Sequence, residues 1–492
     1  MTADNAERVG ETPQLAQDRI GFWASVGIGV GSTTPSTGVA LVFGILVASV
    51  GVHMPGIVLL GFVPIAAITL AYLHFNRVDP DCGATFSWTT RAFGPHIGWV
   101  AGWLVISTLA VVVTAYAQLL GTYTFLLVEA NGLAGSTVAV TVCGSLWLVV
   151  LGLVAYRGIE LSERVQIPML IFELVVIVGF AVIAIVKASL DNPVGSVTPS
   201  LGWFNPFAVA DSSALAAGLA AAALLYWGWD ATVMLNEESE DRSENPGRAA
   251  VLSTVVLMLF YVIGAVGVLA WAGPDRIAEQ PDDLLGLLGP EVLGDGLDRV
   301  LVLAVLTSCI AGGLFLPISG ARVMLSMARR RALPPALGRI HPRFQTPSVS
   351  TIVFTATSLI FFVVMTIVSD TLLSDSISAL GPLVAGYYAL TGLAGAFYFR
   401  RSVRDGVVPA LSKVLVPLAG AIILGWVAVK NSIDLADPAA SYGGTEWFGL
   451  GAPFVITIVM LALGVIGTIV TRLMSPPFYR RPVEPLGTTA TT

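Results

Sequence analysis

Two short runs in an otherwise apolar chain hold residues suited to binding as well as packing. The first, Gly27–Thr37 (GIGVGSTTPST), holds three glycines, five hydroxyl residues and Pro35. Proline removes a backbone donor and clashes with the preceding turn, and glycine permits dihedrals that other residues avoid. The second run, Tyr226–Asp230 (YWGWD), sets a glycine among three aromatic residues and ends on an acid. A helix broken at such a run frees peptide N–H and C=O groups for a small polar ligand. In the interior of the long apolar segments only three Asp, Glu, Lys or Arg residues occur: Glu173, Asp230 and Arg322. Charge at membrane depth is costly and marks a pathway or a partner site. Binding of a charged small solute and transfer of a proton are therefore the chemistry to expect.

The elements that must position these residues are membrane spans. The chain has 492 residues, of which 55% are hydrophobic and 12% charged, against about 25% charged in soluble domains. It lacks the polar groups to cover a water-facing surface, which excludes a soluble enzyme and a disordered scaffold. Nearly all of the 22 Arg and 3 Lys fall in short gaps between apolar runs. No basic stripe could track phosphates, so no nucleic-acid partner is expected. Cys82, Cys143 and Cys309 are far apart and the four histidines are scattered, so no metal site, disulfide or cofactor is expected. A membrane-embedded enzyme would need clustered His, Asp or Glu, and the sequence has no such cluster.

A crossing helix needs about 20 apolar residues. No Asp, Glu, Lys or Arg occurs from Ile20 to Asn76, enough for two crossings with a break at Gly51–Gly56. Further runs at about 96–128, 134–155, 165–187, 208–236, 247–272, 299–328, 347–369, 376–399, 411–430 and 447–472 bring the count to twelve spans. They are too long for barrel strands. The polar, acidic N-terminal segment is not followed by a short apolar core with a cleavage site, so no removable signal peptide is expected. With the N-terminus inside, inner segments hold 20 basic residues and outer loops four, Lys187, Arg276, Arg299 and Lys430. The positive-inside rule then puts both termini in the cytoplasm.

The two broken runs lie in the first and sixth spans, five helices apart. A repeat of an odd number of helices inserts upside down relative to its copy. Paired interrupted helices in two inverted halves point to a transporter site at the midplane. The expected organisation is a tail (1–20), a first repeat (21–190), a second repeat (208–402), two appended helices (408–474) and a C-terminal tail (475–492).

Three segments in register with this pattern carry a family resemblance. Asp81–Trp88 (DCGATFSW), Arg91–Pro95 (RAFGP) and Gly98–Trp103 (GWVAGW) follow the second span. Asn236–Ser239 (NEES) and Asn245–Arg248 (NPGR) follow the sixth. Ala321–Arg329 (ARVMLSMAR), Leu333-Pro334 and His341–Pro347 follow the eighth. In this order they resemble the amino acid–polyamine–organocation (APC) permeases over roughly residues 20–402. The resemblance implies an all-α polytopic membrane protein with 12 transmembrane helices, a LeuT-like 5+5 inverted repeat plus two C-terminal helices. The function it implies is secondary transport of an amino acid or related amine across the cytoplasmic membrane.

Carried over by position, the substrate site comprises Gly29, Gly31, Ser32, Thr33 and Thr34, with Tyr226, Trp227, Gly228 and Asp230. Here the family's usual helix-1 pattern reads Gly29–Pro35 (GVGSTTP), and the glycine pair after the second span reads Cys82-Gly83. A substrate carboxylate suits a half-helix N-terminus and the hydroxyls of Ser32 to Thr34. The ammonium suits freed carbonyls and the ring faces of Tyr226, Trp227 and Trp229. Tyr116 and Gln118 are further candidates for the cavity wall. Asp230 is expected to bind an amine, carry a coupling proton or cap the second half-helix. Where some proton-coupled relatives place a buried Lys nine residues after a loop Arg, Arg164 is followed by Glu173, the other coupling candidate. Arg322 is expected to snorkel or to close an inner gate. The partners are thus a small-molecule substrate, surrounding lipid and a coupling proton. A polyamine or organic-cation carrier is the alternative, favoured by two buried acids; a channel or non-transporting sensor is a third reading.

Overall fold

The computed structural model describes residues 13–480, apart from 192, 194, 210, 280–283, 295, 369–371 and 442–443. Lipid supplies no hydrogen-bond partners, so each apolar run closes its peptide bonds within itself as a helix. Among the described residues ten helical stretches are long and apolar enough to cross a membrane. The chain is an all-α, multi-pass membrane protein.

The first stretch, Phe22–Val78, covers 57 residues and is broken more than once. Helix α1 (Phe22–Gly31) stops at the hydroxyl run; a turn at Pro35–Thr37 and a π-helical segment at Gly38–Val42 lead into α2 (Phe43–Val50). Gly51, at φ +56°, turns the chain into α3 (Met54–Val78). Then come α4 (Thr85–Phe93), α5 (Pro95–Leu127), α6 (Thr137–Arg157) and α7 (Ile159–Asp191). The second interrupted element is α8 (Ser212–Leu225) with the four-residue α9 (Ala231–Met234). The remainder comprises α10 (Asn245–Glu279), α11 (Leu284–Leu293), α12 (Asp298–Arg329), α13 (Ser348–Val368), α14 (Leu372–Ser378), α15 (Leu380–Tyr398), α16 (Val416–Asp434) and α17 (Ala452–Met474). A two-stranded hairpin, β1 (Glu446–Trp447) with β2 (Leu450–Gly451), precedes α17.

Helices α5 and α12 pack along each other, α10 lies along α1, α3 and α7, and α15 along α16. Helices α5 and α12 are mostly buried, whereas α6, α13 and α17 turn residues such as Leu146, Ile367 and Leu473 outward. An apolar exterior of that extent is what a lipid-facing surface requires. The two broken elements are also tied by backbone: Ile20 pairs with Ser239 in a parallel bridge. Arg19 and Ile20 N–H groups donate to Glu238 O at 2.8 and 3.1 Å. The chain entering α1 is thereby fixed to the chain leaving α9.

Candidate functional site

The first break forms where the hydroxyl run offers alternatives to helical bonding. The Thr33 hydroxyl donates to Val30 O at 2.6 Å and the Thr34 hydroxyl to Thr33 O at 2.8 Å. Such local bonds compete with the helix ladder. Thr34 sits in the left-handed region (φ 48°, ψ 65°), uncommon for a β-branched residue and a mark of local strain. Its hydroxyl also meets the Tyr116 hydroxyl of α5 at 2.6 Å. The glycines before it serve different ends. A Cβ on Gly29 would lie 2.3 Å from Ser253 Oγ and 2.8 Å from Thr232 Cγ2, whereas one on Gly31 meets nothing closer than 3.8 Å. Gly29 therefore allows α1 to approach α9 and α10, and Gly31 has ordinary room.

At the second break Gly228 adopts φ +118°, and a Cβ there would lie 2.6 Å from Ser32 O. The two breaks are in contact: the Ser32 hydroxyl donates to Gly228 O at 2.7 Å. The aromatic residues around Gly228 diverge. The Tyr226 hydroxyl donates to Val58 O at 3.1 Å, and its ring packs edge-on to Tyr261. Trp229 is fully buried, stacked on Tyr388 and edge-on to Tyr72. Trp227 donates its indole N–H to the Tyr387 hydroxyl. Asp230 precedes α9 without a side-chain cap bond. Its carboxylate accepts instead from Tyr387 at 3.3 Å and Tyr388 at 3.2 Å, both on α15.

Glu173 on α7 is fully buried. Its Oε2 accepts from the Ser36 N–H at 3.4 Å, at the start of the limb after Pro35. The Ser36 and Ser308 side chains also face the carboxyl.

A cavity of about 540 Å³ begins at the first break, within the roughly 300–1,000 Å³ of small-molecule sites. Thr33, Thr34, Tyr116 and Trp227 line it there, and it extends to Ser374 on α14 and Asn431 on α16. Gln118 lines it as well. Gly29, Gly31, Ser32, Tyr226, Gly228, Trp229 and Asp230 lie behind this wall rather than on it.

On the opposite side of the breaks, where the 329–346 segment lies, acids and arginines interlock. Arg322 does not reach for the surface: it and Glu238 are each 1% exposed, with Arg322 Nη2 donating to Glu238 Oε1 at 2.8 Å and Nη1 to Ile318 O at 3.0 Å. Arg329 pairs with Glu237 at 2.7 Å and Arg330 with Asp81 at 2.8 Å. Asp81 Oδ1 also accepts from Gly83 N–H, Ser87 and Ser326 at 2.8, 2.6 and 2.6 Å. Burial favours its neutral form, but the Arg330 charge and these bonds outweigh that and hold the carboxyl well below the usual range. Asp79, bonded to Arg91 at 2.8 Å, is pushed up to about 6 by burial and then by the Asp81 charge.

Asp81, Cys82 and Glu237 bring three atoms of metal-ligating kind, two carboxylate oxygens and a thiol sulfur, within 4.8 Å of one another. Both carboxylates are already engaged by arginines and the Cys82 thiol donates to Arg322 O at 3.4 Å, so this donor set is committed to ion pairing. Tyr387, Tyr388 and Glu238 escaped sequence reasoning as individuals. Only Glu238 carried a signal, through the Asn236–Ser239 segment.

The fold and these contacts define a polytopic helical membrane protein with two interrupted helices meeting beside a cavity. Residues 20–405 match the family described as amino acid permease, and the chain belongs to that family. It is 25% identical to an uncharacterized transporter of Mycobacterium tuberculosis over 90% of this chain and 91% of that one. A branched-chain amino acid permease of Lactococcus lactis is 24% identical over 59% of this chain and 64% of its own. A low-affinity putrescine importer of Escherichia coli is 20% identical over 79% and 84%.

Proposed function

We propose that the protein is a secondary transporter that moves an amino acid or related amine across the cytoplasmic membrane by alternating access. The observation that carries this reading is the meeting of the two helix breaks, Ser32 hydroxyl on Gly228 O at 2.7 Å, beside a cavity that starts at Thr33 and Thr34. In this reading α1 to α7 and α8 to α15 form the two inverted five-crossing repeats (21–190 and 208–402) and the last two crossings (408–474) are appended. Twelve crossings put both tails (1–20 and 475–492) in the cytoplasm, in agreement with the arginine distribution.

The cavity belongs to a state closed at the arginine-rich face. The Thr33 and Thr34 hydroxyls turn from Val30 O and Thr33 O to donate to the substrate carboxylate, and its ammonium meets the Trp227 ring face and freed carbonyls. Closure of the far end and rupture of the Arg322–Glu238 pair then expose the site to the other side. Glu173 or Asp230 carries a coupling proton, since each is buried and in contact with a broken helix. The relatives named for amino acids support this substrate class. A polyamine or organic-cation carrier is the second reading, favoured by the two buried acids and by the putrescine-importing relative.

Uptake and counterflow in proteoliposomes, with amino acids and amines and with pH and sodium gradients imposed separately, test the function. Saturable uptake with counterflow is expected. Linear, non-saturating flux, or binding without flux, would replace the carrier with a channel or a sensor.

A further inference from the structure

Resting on the transport reading above, we propose that the substrate is a zwitterionic amino acid with a neutral, apolar side chain, and that the site rejects basic amino acids and polyamines. Among the described residues, no Asp, Glu, Lys, Arg or His lines the cavity. One ammonium and one carboxylate can be met at the helix break, by Thr33, Thr34 and Tyr116; the polar residues elsewhere on the wall, among them Gln118, Ser374 and Asn431, are neutral. Most of the rest of the wall is apolar, with residues such as Leu41, Val42, Ile45, Leu119, Ala221 and Leu224.

The two buried acids do not alter this balance. Asp230 is 2% exposed and each of its oxygens takes a tyrosine hydroxyl. Glu173 is fully buried and its Oε2 is directed to the Ser36 amide. Neither reaches the cavity surface. A second ammonium or a guanidinium would thus meet apolar side chains and neutral polar groups with no counter-ion, which disfavours it. An apolar side chain gains in the same place by leaving water, and a volume of about 540 Å³ leaves room for a branched or aromatic one.

Counterflow in proteoliposomes holding the full-length protein decides the matter, because exchange requires no knowledge of the coupling ion. Labelled leucine, phenylalanine, alanine, arginine and putrescine are compared. Leucine and phenylalanine are expected to exchange, and alanine to bind weaker by at least the roughly 10–200-fold that one methylene is worth in an apolar pocket. Arginine and putrescine are expected neither to exchange nor to compete with leucine. Exchange of arginine or putrescine as good as that of leucine overturns the inference while leaving a carrier; absence of exchange for all five overturns the transport reading and the inference together. Ala221→Phe narrows the apolar wall without touching either break. It is expected to weaken leucine and phenylalanine and spare alanine, and equal losses for all three overturn the assignment of that wall to the side chain.

Discussion

The Ser32 hydroxyl donates to the carbonyl oxygen of Gly228 at 2.7 Å across 196 positions of sequence. Each break thereby satisfies part of what the other leaves open. The peptide groups freed by one interrupted helix would be unstable alone in lipid, but two interrupted helices in contact share the cost. Displacement of one is then transmitted to the other.

The glycines provide the first test of that contact. Gly228→Ala requires an L residue at φ +118° and puts a Cβ 2.6 Å from Ser32 O. A loss on the order of 1–3 kcal/mol is expected from the strained backbone, read as reduced thermal stability in detergent with loss of substrate binding. Gly31→Ala, whose Cβ meets nothing within 3.8 Å, is expected to stay within about 0.5 kcal/mol. Equal effects at both positions would remove the contact between breaks as the reason for Gly228.

Arg322 and Glu238, both 1% exposed, form a pair whose single members cannot be removed cheaply. Glu238→Gln leaves an uncompensated guanidinium, and a loss of about 3–5 kcal/mol is expected; Arg322→Met with Glu238→Leu should restore much of it. Cys82 is a reporter already in place, fully buried with its thiol on Arg322 O at 3.4 Å. With Cys143 and Cys309 replaced by Ala, Cys82 should alkylate faster in Glu238→Gln than in the parent. An unchanged alkylation rate would sink the role of this pair in closing that face.

Acidity should act on the same face through Asp79. Its folded carboxyl titrates near 6, above the ordinary 3.8, because of burial and the Asp81 charge. The folded protein thus binds this proton more tightly than the unfolded chain, and stability from the group is present below about 4 and lost as pH rises to about 6. Asp81 behaves oppositely: with its carboxyl held low, its contribution is complete above about 4 and lost only in stronger acid. Thermal unfolding of the parent relative to Asp79→Asn is therefore expected to change by on the order of 3 kcal/mol between pH 4 and 7, with the parent favoured at the acid end. A flat difference would contradict it.

The all-α, multi-pass character and both breaks were legible in the sequence because their causes are local: apolar length, a proline, and a density of glycine and hydroxyl residues. Which break residues face the cavity was not legible, since rotation within a non-helical segment follows no periodicity. Thr33, Thr34 and Trp227 face it while Ser32 and Tyr226 do not. Gly29 and Gly31 look alike in composition, and only the packing of Ser253 and Thr232 separates them. The tyrosines on Asp230 come from 157 and 158 positions away, a distance over which residue type carries no pairing signal. Arg322 turns inward for the same reason, drawn to Glu238 84 positions away.

Those tyrosines make Asp230 a test of support against direct contact. Asp230→Asn removes the charge from two hydrogen bonds, each worth about 1.5–3 kcal/mol when charge-assisted. Thermal stability is expected to fall by about that scale with substrate affinity changing less. A fall in affinity larger than the fall in stability would instead bring the acid into contact with a substrate amine.

Glu173 offers the sharpest test of coupling. Its carboxylate lies at the Ser36 N–H, the first free donor after Pro35, at the end of a half-helix where anions are favoured. A substrate carboxylate held by Thr33 and Thr34 would approach the same end. Two carboxylates drawn to one helix end repel each other even with Glu173 behind the cavity wall, so arrival of the substrate should be accompanied by a proton on Glu173, and its departure on the other side by release. Gln keeps an oxygen for the Ser36 amide but has no proton to give up. Glu173→Gln is therefore expected to retain substrate counterflow and lose accumulation driven by an imposed pH gradient. Accumulation equal to the parent's would leave Glu173 as a fixed partner of Ser36 and transfer coupling to Asp230 or to another ion, while loss of counterflow as well would make the carboxylate part of the binding site itself.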